Sequence, residues 1–137
     1  MLGMYANERI NILSCEVRKL FKRKSISRRK RKLVYEKCNH RCAYCGCELS
    51  FESMHVDHVE PVSRGGRSEV SNYLPSCSFC NIFKSDSSVE EFRENIIGLR
   101  ERLFCNCMAY RVAELYGMIN FVPHGVRFYF ETLEGEE

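Results

Sequence analysis

Apolar residues recur at helical spacing in several stretches of the chain, and these stretches predict amphipathic helices. The first stretch covers residues 8–21. The second follows Ser27, a candidate N-cap, and runs to Lys37. The third begins at Ser87 or Ser88, because the sequence SSVEE permits a capping box from either serine. Its apolar stripe indicates core packing rather than a ligand groove, and consists of Val89, Phe92, Ile96, Leu99 and Leu103.

Extended segments are predicted by alternation rather than by helical spacing. Residues 54–62, MHVDHVEPV, alternate in period two, and Pro61 closes the alternating run. This pattern predicts a strand. A loop with Gly65 and Gly66 follows, and residues 72–84 contain a short second strand and the start of a helix. Residues 109–117 predict another helix. The apolar segments on either side of the sequence PHG, at 118–122 and 126–131, predict a hairpin.

The chain has room for one domain with a peripheral arm, because 137 residues cannot form two full cores. Hydrophobic residues make up 45% of the chain and aromatic residues 12%, which argues against wholesale disorder. We therefore expect three segments in an α+β fold. These are an N-terminal helix and basic link at 1–26, a central domain at 27–104, and a C-terminal helix and hairpin at 105–137 that pack on the core.

The cysteine content indicates metal binding. No apolar run approaches the roughly 20 residues that a membrane span needs, and the first residues lack the basic and apolar regions of a signal peptide. We therefore expect an intracellular protein of the reducing cytoplasm, without a membrane partner. There the nine cysteines need an explanation other than disulfides, and metal ligation is the leading one.

Positive charge is concentrated near the start of the chain. Residues 18–41 hold twelve Lys or Arg against the single acid Glu36, whereas the last residues, ETLEGEE, are acidic. A one-sided cationic block suggests a polyanionic partner. The alternative is a solvated basic face or a loose basic arm, and the block alone does not decide between the two.

Two Cys-x-x-Cys pairs, Cys42 with Cys45 and Cys77 with Cys80, predict a metal site. Four thiolates suit a tetrahedral Zn²⁺ in a closed structural site, which has no open position for catalysis. Such an ion would hold the two halves of a small core together. The alternative is that these cysteines are buried without a metal. The others are interpreted as nearby competitors, Cys38 and Cys47, and as packing residues, Cys15, Cys105 and Cys107.

Around these pairs the chain resembles the HNH endonuclease family, whose fold is a ββα-metal hairpin and helix. The matching elements are Asp57 and His58 with Pro61, the Gly-Gly loop, Asn72, the second cysteine pair, and Asn81 with Lys84. The resemblance covers roughly residues 30–95. It implies a ββα-metal core stapled by a four-cysteine zinc site, with flanking N-terminal helices and a C-terminal helix plus hairpin.

The chemistry of phosphodiester hydrolysis accounts for the residue types in this segment. An imidazole titrates at about 6.5, so His58 can take a proton from water near neutral pH. Asp57 and Asn81 offer oxygen ligands, which favour a hard cation such as Mg²⁺ or Mn²⁺. The resemblance implies that Asn72 braces the loop and orients His58. Many relatives carry His where this chain has Asn81, so the metal preference stays open.

Further residues near the motif have two interpretations each. Arg64, Arg67 and Lys84 are candidate phosphate contacts, although loop cations are often merely solvated. His55 lies two residues before Asp57 and is either an additional metal ligand or a structural or solvent-facing histidine. We assign no role to His124.

The predicted function is a metal-dependent HNH endonuclease that hydrolyses DNA phosphodiester bonds, by nicking or by double-strand cutting. Its cofactors would be a structural Zn²⁺ and a catalytic Mg²⁺ or Mn²⁺. One alternative is a zinc-dependent nucleic-acid-binding module without catalysis, and another is a zinc-stabilised protein-interaction domain. The sequence leaves open whether the protein is a monomer or a homodimer, and which DNA sequence it targets.

Overall fold

The computed structural model describes residues 25–122 and 125–133. Several predictions concern positions outside these residues. They are the helix at 8–21, Cys15, His124, the acidic end of the chain, and the part of the basic block before Ser25.

The described chain is a mixed α/β fold in which helices flank one pair of strands. The elements are α1 (Arg28–Glu36), β1 (His55–His58), β2 (Tyr73–Ser76), α2 (Ser78–Lys84), α3 (Val89–Ile97), α4 (Leu99–Asn106), α5 (Met108–Leu115) and α6 (Tyr129–Leu133). The loop between the strands contains two 3₁₀ turns, Val62–Arg64 and Val70–Asn72. The predicted α+β class is therefore confirmed, with β1, β2 and α2 as consecutive ββα elements.

The two strands are antiparallel, with His55 opposite Ser76 and His58 opposite Tyr73. Pro75 is tolerated in β2 because a two-stranded sheet has only edge strands. Its carbonyl accepts a hydrogen bond from the Ala43 backbone N–H at 2.8 Å. This bond ties the first Cys-x-x-Cys turn to the sheet.

Helix α1 begins as predicted at Ser27, whose hydroxyl accepts a hydrogen bond from the Lys30 N–H at 3.4 Å. Two cations of the basic block then bind backbone carbonyl groups of the domain. Arg31 donates to the carbonyls of Phe51 and Met54 at 3.0 and 2.8 Å. Lys37 donates to those of Val70 and Tyr73 at 2.5 and 2.9 Å. Part of the basic block is therefore structural.

The third predicted helix has the expected start but ends earlier than its apolar stripe. Ser88 caps α3 in a full capping box with Glu91. At Gly98 the helix ends, and the carbonyl of Gly98 accepts the first hydrogen bond of α4 from the Arg102 N–H at 3.2 Å. The stripe that the sequence presents as one helix is thus divided between α3 and α4.

The predicted C-terminal hairpin is wrong. Residues 118–122 and 125–128 form no strand, and the helix α6 follows. The physical reason is that this segment binds the first Cys-x-x-Cys turn instead of pairing with itself. The N–H groups of Tyr129 and Phe130 donate to the carbonyls of Tyr44 and Ala43 at 3.0 and 2.8 Å. Arg93 of α3 adds an ion pair to Glu131.

The core is built around an aromatic cluster next to this turn. The ring centroids of Tyr44, Phe92 and Phe128 lie 5.2 Å from one another, in edge-to-face and stacked geometry. Aromatic pairs of this kind contribute about 0.5–1.5 kcal/mol each beyond their buried area. The C-terminal segment therefore completes the core, while the domain boundaries at 26 and 104 stay a prediction.

Within the ranges 25–122 and 125–133, none of the helices has both the length and the apolar character that crossing a bilayer requires.

Candidate active site and cysteine cluster

One cavity of about 480 Å³ collects the three residues predicted to carry the chemistry. Asp57 and His58 reach it from the end of β1, and Asn81 reaches it from α2. The antiparallel register and the short connection from β2 into α2 bring these elements together, although His58 and Asn81 are 23 positions apart. The cavity therefore combines a carboxylate, an imidazole and an amide. The carboxylate and amide oxygens can bind a hard cation, and the imidazole beside them can accept a proton.

A buried network fixes the Asp57 carboxylate. Its Oδ2 atom accepts a hydrogen bond from the Tyr44 hydroxyl at 2.5 Å and lies 3.0 Å from the Lys84 ammonium group. Lys84 also donates to the carbonyl of His58 at 2.8 Å. Burial and the adjacent Asp57 charge raise the pKa of Tyr44 far above its usual value, so the phenol stays a donor. Both fixing contacts fall on Oδ2.

The prediction that Lys84 contacts DNA phosphate is wrong for this structure. The Lys84 side chain has no exposed surface, and that of Asp57 is 6% exposed. A buried ammonium group requires a paired charge, and Lys84 has one in Asp57. Its role in the structure is to hold Asp57 and the end of β1.

We expect Tyr44→Phe to destabilise the domain by about 1.5–3 kcal/mol, because a buried hydrogen bond to a charged group is lost. Tyr35→Phe is the matched control, since the Tyr35 hydroxyl donates to the neutral carbonyl of Leu49 at 2.6 Å. Its loss should cost only about 0.5–1.5 kcal/mol. Urea unfolding of both variants measures the difference. Equal costs would show that the Tyr44 bond to Asp57 is not charge-assisted.

The cysteines of both predicted pairs meet in one cluster with a fifth. The sulfur atoms of Cys42, Cys45, Cys47 and Cys77 all lie within 4.8 Å of one another, and the Cys80 thiol hydrogen-bonds to Cys42 and Cys77. None of the eight cysteines in the described ranges forms a disulfide. The group can therefore hold a metal ion, and Cys47 competes with Cys80 for a place in a four-ligand set.

The chemistry of the cluster fits a thiophilic tetrahedral ion. The Cys45 and Cys77 sulfurs are 3.8 Å apart, close to the roughly 3.8 Å that tetrahedral Zn–S bonds of about 2.3 Å impose. Hydrogen bonds, chiefly from the Cys80 thiol and then from backbone N–H groups, lower the pKa of Cys42 to about 4 although burial opposes this. Burial instead raises the pKa of Cys45 and Cys47. The hydrogen bond to Cys42, and then burial, raise the pKa of Cys80. Cys42 therefore loses its proton first, and the thiolate is the form that ligates metals.

Comparison with known proteins places this segment in a family. Residues 42–87 match the model of the HNH endonuclease family. The match covers about a third of the chain, and over this segment the protein is similar to the HNH endonucleases. The matched residues include Asp57, His58, Asn72, Asn81 and both cysteine pairs, and the match confirms the resemblance to this family.

Two known proteins are similar to parts of the chain. The SPbeta prophage-derived protein YoqL of Bacillus subtilis (strain 168), which is named for the HNH endonucleases, is 31% identical over 70 residues. The alignment covers 42% of the chain and 30% of YoqL. The Type II-C Cas9 enzyme from Actinomyces naeslundii aligns with 66% of the chain and 10% of its own length, at 20% identity and a TM-score of 0.45. The chain therefore spans less than a third of either relative.

The imidazole ring of His58 contacts the neighbouring side chains of Tyr73 and Ser68. Its ring packs edge-on against Tyr73, with centroids 4.8 Å apart and planes at 89°. Its Nε2 atom lies 3.5 Å from the Ser68 hydroxyl, a contact whose donor depends on the tautomer. These contacts hold the imidazole at the edge of the cavity.

Asn72 lies where a brace for the loop is required. Its side-chain oxygen accepts from the Glu60 N–H at 2.8 Å, and its amide donates to the carbonyls of Glu60 and Arg67, both at 2.9 Å. The Asn72 carbonyl also accepts from the Val59 N–H at 3.0 Å, directly after His58. The bracing role that the resemblance implies for Asn72 agrees with these contacts. Its effect on His58 orientation stays a prediction.

Gly66 is required where the loop turns back on itself. An added Cβ would lie 1.9 Å from the Glu60 carbonyl oxygen and 2.9 Å from that of Pro61. We expect Gly66→Ala to displace the loop and to destabilise the domain by about 1–3 kcal/mol, as overpacking does. Gly125→Ala is the control, because its Cβ would contact nothing within 4 Å. Thermal melting tests this, and equal melting of both variants would contradict it.

The remaining predicted residues lie at the periphery. Arg64 forms an ion pair with Glu91, 2.7 Å apart, and Arg67 is largely exposed beside Glu69 at 3.9 Å. His55 is exposed and does not line the Asp57 cavity. The structure thus gives Arg64 a protein partner, and the metal-ligand interpretation of His55 gains no support.

Sequence reasoning missed two contributors to this site. Tyr44 lies inside the first Cys-x-x-Cys pair, at a position that the motif leaves unspecified. The sequence therefore carries no signal that its hydroxyl binds Asp57. Asp86 also lines the cavity, but it lies in the sequence KSDSS, which is typical of a loop. An acid two residues after Lys84 was the only signal for it.

Proposed function

We propose that the protein is a metal-dependent HNH endonuclease that hydrolyses DNA phosphodiester bonds. The observation that carries the proposal is the cavity that Asp57, His58 and Asn81 share inside the segment that matches the family. A binding module without catalysis gives no reason for a proton acceptor beside two oxygen donors in one cavity.

Asp57 and Asn81 are the residues that would hold the catalytic cation. Carboxylate and amide oxygens favour Mg²⁺ or Mn²⁺, and we assign Asp57 Oδ1 to the cation because Tyr44 and Lys84 bind Oδ2. A cation bound there would polarise the phosphate and stabilise the charge on the leaving 3′ oxygen. The network around Oδ2 keeps the carboxylate in one orientation, so little reorganisation is needed when substrate arrives.

His58 is the proposed general base. It lies on the rim of the same cavity and accepts the proton of the attacking water, while Tyr73 and Ser68 limit its rotation. Asn72 acts as a positioning residue, because its three side-chain hydrogen bonds fix the loop that starts after β1. In-line attack would leave 5′-phosphate and 3′-hydroxyl ends.

The cysteine cluster is the proposed structural zinc site. Cys42, Cys45, Cys77 and Cys80 are the ligands that we assign, with Cys47 as the alternative to Cys80. A closed thiolate site leaves no position for substrate. The zinc would join the first Cys-x-x-Cys turn to the start of α2 and so position Asn81.

A plasmid assay tests the proposed function. With Mg²⁺ or Mn²⁺ the protein should relax or linearise supercoiled DNA, and EDTA should stop the reaction. Nicked product alone would indicate action on one strand, and linear product would indicate cutting of both, as a homodimer could perform. A protein that binds the plasmid but leaves it supercoiled with either metal would be a nucleic-acid-binding module instead.

A further inference from the structure

A second concave surface lies over α1 and shares no lining residue with the Asp57 cavity. This α1 groove has a volume of about 860 Å³ and is lined by α1, by His40 and by the turn at Phe51. Pockets that hold small organic molecules span roughly 300–1,000 Å³. The groove is therefore large enough for a nucleotide.

Stacked rings lie in the α1 groove. The rings of Tyr35 and His40 are 4.3 Å apart and inclined by 15°, and Phe51 packs edge-on against Tyr35 at 5.7 Å. His40 has a φ of 62°, a left-handed conformation that is uncommon outside glycine. Its N–H donates to the Tyr35 carbonyl at 3.3 Å, and its carbonyl accepts from Leu49 at 2.9 Å. The backbone thus holds an exposed imidazole flat on the tyrosine.

The charges of the groove match a nucleotide better than a uniformly anionic ligand. Arg28, Arg29 and Lys32 supply cations for phosphate, whereas Glu36 and Glu52 supply carboxylates. Glu36 lies 3.9 Å from Lys32. Carboxylates accept hydrogen bonds from the amino groups of bases, and cations bind the phosphate backbone. Flat rings beside cations are typical of surfaces that bind unpaired nucleotides.

We infer that the α1 groove binds an unpaired nucleotide of the DNA, with a base stacked on His40 and the adjacent phosphates on Arg28, Arg29 and Lys32. The inference rests on the proposed function for the identity of the polymer. An unpaired base is required because a duplex keeps the faces of its bases stacked on one another. The groove would favour DNA that contains a single-stranded region.

Fluorescence anisotropy with a labelled oligodeoxycytidine of about 12 nucleotides, whose bases carry the amino group that the carboxylates would accept from, tests the inference in EDTA. His40→Asn removes the ring and keeps a residue that tolerates positive φ, and it should weaken binding about 10-fold, as loss of one stacked base does. His55→Asn is the control on an exposed histidine outside the groove. Arg29→Gln should also weaken binding. It should reduce the slope of log affinity against log salt concentration by about 1, which corresponds to the loss of one phosphate contact. Lys30→Gln is the matched control, because Lys30 lies on α1 but does not line the groove.

The variants separate the outcomes. Binding that weakens only with His40→Asn and Arg29→Gln supports the inference. Unchanged binding by His40→Asn, or equal weakening by Lys30→Gln and Arg29→Gln, overturns it and leaves a nonspecific cationic surface. The plasmid assay is run on the same protein preparations as the anisotropy measurement. If the wild type cuts no plasmid while the His40 effect is present, the proposed function fails and the groove stands. If it cuts and the effect is absent, the groove inference alone fails.

Discussion

Cys77→Ala is expected to unfold the domain. Cys77 belongs to the cysteine cluster whether Cys47 or Cys80 completes the ligand set. Its sulfur also accepts a hydrogen bond from the Cys80 N–H at 3.4 Å, so it caps α2, the helix that carries Asn81. Structural zinc contributes on the order of 10 kcal/mol or more, while domains of this size have about 5–15 kcal/mol in total. Circular dichroism and zinc content measure the effect.

Controls within the chain distinguish loss of the metal from loss of a thiol. Cys105→Ala alters an exposed cysteine in α4 and should melt like the wild type. Cys47→Ser and Cys80→Ser identify the fourth ligand, because only the ligand's replacement should lower zinc affinity strongly. If Cys77→Ala bound no zinc and still melted at the wild-type temperature, the cluster would not stabilise the fold.

His58→Ala is expected to lower the cleavage rate by about 10²–10⁴-fold, the usual contribution of a general base. The loss should appear in the rate and not in DNA affinity, since the imidazole lies at the edge of the Asp57 cavity and acts on water. The fold should persist, because Asp57, Tyr44 and Lys84 do not depend on the ring for their contacts. Single-turnover cleavage of a plasmid with Mn²⁺, with binding measured separately in EDTA, provides the two readouts.

His55→Ala is the matched control for this variant. Both histidines lie on β1, but His55 is exposed and does not line the cavity. It should cut at nearly the wild-type rate. Equal cleavage by His58→Ala and the wild type would remove His58 as the base, and an equal loss in both variants would indicate a general effect on β1.

Local patterns predicted the elements that position the site. The alternation in residues 54–62 predicted the strand that ends at His58, and the serine–glutamate spacing predicted the capping box of Ser88 and Glu91. Both signals act within a few residues, where contacts between neighbours in the sequence decide the outcome. The order of Asp57, His58 and Asn81 along the chain, with the cysteine pairs around them, carried the resemblance to the HNH family that implied a shared site.

Long-range contacts decided what these patterns missed. A lysine three residues after Asn81 is typical of a solvated helix end, yet Lys84 is buried because its ammonium group pairs with Asp57 at 3.0 Å. The residues around PHG alternate as a hairpin would, but Tyr129 and Phe130 find backbone partners at Tyr44 and Ala43. Cys47, which the sequence presents as a competitor of the two pairs, joins the cluster next to Cys45 through the turn at Gly46.

Anomalous diffraction from crystals grown with Zn²⁺ and soaked with Mn²⁺ tests the central claim, that the domain holds two ions in two chemically different sites. We expect zinc signal at the cysteine cluster, and manganese signal in the cavity between Asp57 and Asn81, beside His58. Manganese confined to the cysteines, or absent from the cavity while the carboxylate of Asp57 and the amide of Asn81 point apart, would contradict the account.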